Sequence, residues 1–147
     1  MKRIYFDDSL FNALLKLSRK RRFMNFIFAR LYGCDIPKEV ELGKNVHFPH
    51  KAMGVVIHPL TRIGDNVCIQ HHVLLGEKNG TDAPVICDNV VINPYSVIIG
   101  NVTIGKNSVI GAGSIVTKDV PDNSVYYNRV TPVIKSITSE ERKRLIR

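Results

Sequence analysis

The chain has 147 residues, of which 44% are hydrophobic and 23% charged, and it carries a formal charge of +8. That length suits one folded core, and no apolar run reaches the roughly 20 residues that a membrane-spanning helix needs. The start Met1-Lys-Arg-Ile-Tyr-Phe-Asp-Asp8 lacks the apolar segment of a secretory signal, so a cytoplasmic chain is expected.

From about Ser9 to Tyr32 the pattern predicts one or two short helices. Leu10, Ala13, Leu14 and Leu17 form one stripe and Phe23, Phe26, Ile27, Arg30 and Leu31 a second, with the basic block Arg19-Lys-Arg-Arg22 between them. Ser9 suits an N-cap and Gly33 a stop. The segment 1–34 is therefore read as helical and packed beside whatever follows. Its bases, Lys2, Arg3, Lys16, Arg19, Lys20, Arg21, Arg22 and Arg30, face only Asp7 and Asp8. Such an excess suits a phosphate-bearing ligand or association with a membrane surface. Nucleic acid is not expected, because no recognition motif accompanies the charge.

A six-residue beat begins at Ile36. The aliphatic or aromatic positions run Ile36, Leu42, Phe48; then, after a slip, Ile57, Ile63, Ile69, Leu75; then, after a second slip, Ile86, Ile92, Ile98, Ile104, Ile110 and Val116. Small or β-branched residues follow most of them four places later, with Gly, Asp and Asn between, as in Ile63-Gly-Asp-Asn-Val67. Neither a helix nor an alternating strand sustains that spacing, whereas a solenoid of short parallel strands does. The expectation is an all-β parallel β-helix over 35–134, three hexads per coil and a little over four coils, followed by a helix over 135–147. Cys34, Cys68 and Cys87 show no metal-type spacing, so thiols without assigned chemistry are expected.

The two slips are where a regular solenoid would accommodate a site. The first holds His47-Phe-Pro-His50-Lys-Ala-Met-Gly, and the second holds Gly76-Glu-Lys-Asn-Gly-Thr-Asp-Ala-Pro84, whose composition signals a protruding loop. His71 occupies the same place in its hexad as His50, three hexads later, which puts it about one coil above on the same edge. Asp35 and His50, fifteen residues apart, fall on adjacent coils near a shared corner.

Asp35-Ile-Pro, Val46-His-Phe-Pro-His50, Met53-Gly-Val-Val56, Ile63-Gly-Asp-Asn-Val67 and His72-Val-Leu-Leu-Gly76 together resemble the serine acetyltransferase family. Ile110-Gly-Ala-Gly-Ser-Ile-Val-Thr-Lys-Asp-Val-Pro121 resembles the closing coil of many hexapeptide-repeat acyltransferases. The resemblance implies a left-handed β-helix, a homotrimer with sites between subunits, acetyl-CoA as donor and no metal. It implies that His50 is the general base and Asp35 its orienting carboxylate, a role an imidazole suits because it titrates near neutral pH. His71 would bind the acceptor or share the base role. Ala112 and Gly113 would lie along the pantetheine arm, Lys118 would meet a CoA phosphate, and a backbone N–H near Gly76 would face the thioester oxygen.

Departures from the family bear on the acceptor. Where serine acetyltransferases carry a loop histidine before a proline, this chain reads Asp82-Ala83-Pro84, and Pro49 replaces an acid beside the histidine. The expected acceptor is therefore a sugar hydroxyl in surface polysaccharide synthesis, with serine as the alternative. Two other classes use this scaffold: a zinc enzyme of the carbonic anhydrase type and a non-catalytic assembly protein.

Overall fold

A computed structural model describes residues 9–20, 22–78, 80 and 82–128. Two helices, α1 (Ser9–Ser18) and α2 (Arg22–Tyr32), precede a three-sided left-handed parallel β-helix. The first face stacks β2 (Val56–Ile57), β5 (Leu74–Gly76), β8 (Val97–Ile99) and β11 (Ile115–Val116). The second stacks β1 (Glu41–Leu42), β3 (Arg62–Ile63), β6 (Val85–Ile86) and β9 (Thr103–Ile104). The third stacks β4 (Cys68–Ile69), β7 (Val91–Ile92), β10 (Val109–Ile110) and β12 (Val125–Tyr126). Single bridges from Asp35 to Val56, His47 to Cys68 and Ile104 to Val120 add one further level to each face.

Every strand pair is parallel, and the register carries each inward residue directly onto the next: Ile57, Leu75, Ile98 and Val116 on the first face, Ile63, Ile86 and Ile104 on the second. Ile57, Ile69, Leu75, Ile86, Ile92, Ile98, Ile104, Ile110 and Val116 are at most 1% exposed. Burying each such side chain stabilises the fold by about 1.5–3 kcal/mol, so the hexad beat and the core are one pattern. The column is taller than the beat suggests. Val120 stands four residues after Val116 yet bridges Ile104, so the last hexad is shortened and the count of heads missed it.

The edge between the second and third faces is built on asparagine. Asn45, Asn66, Asn89, Asn107 and Asn123 all adopt φ between 55° and 59°, a left-handed conformation asparagine tolerates better than most residues. Each side-chain amide donates to the next: Asn45 to Asn66 at 3.1 Å, Asn66 to Asn89 at 3.3 Å, Asn89 to Asn107 at 3.0 Å and Asn107 to Asn123 at 2.9 Å. Beside the ladder, the Asp122 carboxylate accepts from the Lys106 N–H at 2.7 Å. That contact requires Gly105, since a Cβ there would stand 2.4 Å from both the Asp122 amide nitrogen and its Oδ1.

The two helices pack beside the first coil, as expected. Phe11, Leu15 and Phe28 are their buried hydrophobic residues, and the Phe11 ring meets Phe28 at 5.4 Å, Tyr32 at 5.1 Å and Phe48 at 6.5 Å. The Arg19 guanidinium donates to the carbonyls of Pro37 (3.3 Å), Lys38 (3.1 Å) and Val40, fastening α1 to the first coil. Of the two stripes, Leu14 packs against the core, while Leu10, Phe23, Phe26 and Leu31 are 64–72% exposed. A periodic stripe shows that a helix has an apolar face, not which face meets a partner. Cys34 is buried, and that burial, with Asp35 next, pushes its thiol up to about 11. None of the three cysteines forms a disulfide. The expected helix over 135–147 lies outside the described residues.

Gly105→Ala should lower stability by about 1–3 kcal/mol, the usual cost of forcing atoms into a filled space. Denaturant unfolding measures it, and an unchanged midpoint would show slack at this corner.

Candidate active site

The edge where the third face turns into the first collects the histidines. At its lowest corner the 3-10 turn Pro49–Ala52 carries His50, Lys51 and Ala52, each at φ 56°. Above it come His71-His72, then Pro94-Tyr95, then Ala112-Gly113, tied coil to coil by backbone bonds. The His72 N–H donates to Met53 O at 2.8 Å, Tyr95 N–H to His71 O at 3.3 Å and Gly113 N–H to Pro94 O at 2.9 Å. The column of left-handed residues is Gly54 (68°), His72 (56°), Tyr95 (60°) and Gly113 (67°). A side chain at Gly54 would put its Cβ 2.5 Å from His72 Cδ2, so glycine there makes the space for the His72 ring.

Four rings converge on this edge. His50 and His71 stand edge to face at 5.2 Å. His71 Nδ1 lies 3.0 Å from His72 Nδ1, a contact in which one ring must donate and the other accept, so at least one is neutral. His72 stacks on Tyr95 at 4.8 Å with 15° between planes, and His71 meets Tyr95 edge-on at 5.4 Å. The His71 imidazole is held below its ordinary value, first by desolvation and then by the neighbouring charges of His50 and His72. His71 therefore favours its neutral form, able to accept a proton or a hydrogen bond.

The hexad count thus brings His71 to His50. Asp35 stands exposed at the start of the first coil, its backbone bridged to Val56 on the same edge. Among the described residues no hydrogen bond or ion pair joins its carboxylate to His50; the ring facing His50 is His71. Ala112 and Gly113 are exposed at the top of the histidine edge, and a Cβ on Gly113 would meet nothing within 4 Å. Lys118 is exposed beyond β11, at the opposite edge of the first face. Gly76 ends β5, where its carbonyl accepts from Gly100 N–H at 3.0 Å. A Cβ there would make only ordinary contacts, the nearest at 3.7 Å, so space does not demand glycine.

His72 and Tyr95 as a stacked pair were not anticipated. The signal was the hexad column itself, since each immediately precedes the small or β-branched residue, Val73 or Ser96, that stands just before the next first-face strand. A separate pocket of about 330 Å³ sits at the edge between the first and second faces, lined in part by Glu39, Glu41, Arg62, Asp82 and Ala83. It holds no histidine. Among the described residues no three His, Cys, Asp or Glu side chains are grouped to hold a metal ion.

Residues 83–118 match the family model for bacterial transferase hexapeptide (six repeats). The wider chain is similar to serine acetyltransferases. It is 36% identical over 138 residues to a serine acetyltransferase of Staphylococcus epidermidis, spanning 88% of this chain and 62% of that one. It is 40% identical over 95 residues to the Bacillus pumilus serine acetyltransferase, covering 63% of this chain and 43% of that one. Among solved structures, the Neisseria gonorrhoeae serine acetyltransferase in complex with serine superposes with a TM-score of 0.67 at 37% identity, over 71% of this chain and 43% of that chain. The Brucella abortus serine acetyltransferase gives 0.71 at 32%, over 82% and 50%. The chain thus spans 43–62% of the length of these relatives.

A proton titration followed by NMR should find His71 below the ordinary value of 6.5. His50→Ala should raise it only in part, because desolvation is the larger cause. The unfolded chain binds this proton more readily than the fold, so protonation opposes folding. Stability linked to His71 should be complete above 6.5 and fall as the pH drops through 6.5 toward the lowered folded value. A His71 titrating above 6.5 would remove the basis for its neutral role.

Proposed function

We propose that the chain is an acetyl-CoA-dependent O-acetyltransferase in which His50 is the general base. The observation that supports it best is the His50–His71 contact, 5.2 Å between ring centres, on a corner of unusual backbone conformation. His50 takes the proton of the acceptor hydroxyl as the oxygen attacks the thioester carbonyl. A C–O bond forms, the C–S bond breaks, and the imidazolium returns its proton to the departing sulfur. A neutral His71 beside it adds little positive charge to oppose the imidazolium and can accept a hydrogen bond from the substrate. Asp35 steadies the His50 imidazolium through the field of its charge.

Acetyl-CoA is the donor, with its pantetheine arm passing the open backbone at Ala112 and Gly113 and Lys118 taking a phosphate. The acceptor is serine. Similarity to serine acetyltransferases supports serine over the sugar hydroxyl expected from the loop sequence. A sugar acceptor remains a second reading, carried by the stacked His72–Tyr95 pair, a flat surface suited to the apolar side of a sugar ring, and by Ala83 in the loop. Assembly as a homotrimer, with sites between subunits, is supported by the outward column Val56, Leu74, Val97 and Ile115, of which Val56 and Ile115 are 42% and 57% exposed.

His50→Ala should lower kcat/KM by about 10²–10⁴-fold, the usual contribution of a general base, while CoA binding and molecular mass persist. A variant retaining a tenth of wild-type activity would reject the assignment. Comparison of L-serine with a panel of sugars decides the acceptor. A serine kcat/KM of roughly 10⁴ M⁻¹s⁻¹ or more supports serine, whereas efficient transfer only to sugars would reverse the preference.

A further inference from the structure

Helices α1 and α2 turn an apolar and basic surface away from the prism. On α2, Phe23, Phe26, Ile27, Arg30 and Leu31 recur at i, i+3, i+4, i+7 and i+8, a single continuous stripe. Phe23 is 72% exposed, Phe26 64%, Ile27 44% and Leu31 69%, and on α1 Leu10 and Leu17 are 68% and 47% exposed. The opposite faces are already used, by Phe11, Leu15 and Phe28 in the core and by Arg19 on the carbonyls of the first coil. Among the described residues nothing covers the outer stripe.

The charge around that stripe has one sign. Between positions 9 and 33 the sequence contains Lys16, Arg19, Lys20, Arg21, Arg22 and Arg30 and no Asp or Glu. Of these, the side chains of Lys16, Lys20 and Arg30 are exposed. We propose that this face docks on an anionic lipid surface, with the phenylalanine and leucine side chains entering the boundary between headgroups and acyl chains and the cations meeting lipid phosphates. An amphipathic helix that is apolar on one side and cationic beside it binds in this manner, by buried area plus attraction to anionic lipid. The charge selects the occupant. A second copy of the same face would bring like charges together, which costs energy across an interface, whereas an anionic bilayer answers both the exposed aromatics and the one-signed charge. At 10 and 11 residues, α1 and α2 are far too short to cross a bilayer. The surface would hold the protein on the membrane and not in it.

Co-sedimentation of the full chain with vesicles tests the proposal, using phosphatidylglycerol mixed with phosphatidylcholine against phosphatidylcholine alone. Binding to the anionic vesicles only, weakening as salt is raised, is the expected result. Phe23→Ser with Phe26→Ser should reduce partitioning at least about tenfold, given the apolar area removed from the interface. Charge reversal at Lys16, Lys20 and Arg30 to Glu should abolish it. Because these side chains are exposed, both variants should keep the wild-type melting temperature and mass. The proposal is overturned by no sedimentation with anionic vesicles, by equal binding to both lipids, or by variants that bind like the wild type. A phenylalanine variant whose mass falls to half the wild-type value would equally sink it, by showing that the face joins copies of the chain.

Discussion

The left-handed corner is the constraint on which this molecule depends. A chain that coils in three flat faces must turn sharply three times per level, and at two of the three edges the turn is made by a residue at positive φ. For a residue with a Cβ this conformation costs roughly 1–2 kcal/mol. The asparagine edge offsets the cost by repetition, since each side-chain amide that sits in a left-handed turn also bonds its neighbour above. Glycines beside the ladder allow the coils to approach within backbone contact, as at Gly105 under Asp122. Stacked isoleucines then follow from the register that the corners impose, because equal corners keep every inward position directly above the last.

The histidine edge meets the same requirement with a different set of residues. His50, Lys51, Ala52, His72 and Tyr95 all take positive φ, although none is glycine or asparagine. Strain of this kind persists only where the surroundings hold it, and it concentrates at functional sites. Here it aims imidazoles outward from consecutive corners so that rings on successive coils touch. The asparagine edge and the histidine edge are built from the same turn, and they differ in what the turn residue presents to solvent. Gly54 illustrates the link, because the space it leaves is occupied by the His72 ring of the next coil.

What could be read from the sequence follows from this geometry. The inward column was legible because a hexad count is a statement about register, and register decides burial. By the same count His71 falls above His50, and the two rings are in contact. The His72–Tyr95 stack escaped notice because the loop between β5 and β6 lengthens the third coil and breaks the simple addition, even though the corner positions still align. A contact between Asp35 and His50 was less accessible still: column and edge follow from spacing, but a contact depends on side-chain direction, and among the described residues no hydrogen bond or ion pair joins the two. The helix stripes mark apolar faces, yet most of their large side chains are exposed. Phe11 and Phe28 lie outside both stripes, and it is their aromatic contacts that fasten the helices.

The three faces of the prism divide the remaining surface by composition. The second face carries Glu41 and Arg62, paired at 3.4 Å, in its outward column, a solvated arrangement worth little to stability. The first face is aliphatic from Val56 to Ile115, and the third presents Val91, Val109 and Val125 outward. The histidine edge is the junction of these two apolar faces. Covering either of them would therefore also enclose one side of the imidazole cluster, removing water from around His50 and His71. Desolvation is already the leading cause holding His71 below its ordinary value, so enclosure would drive it further in the same direction. Burial of the flanking faces and the neutral form of His71 are in this way coupled through one physical quantity, the water left around the rings.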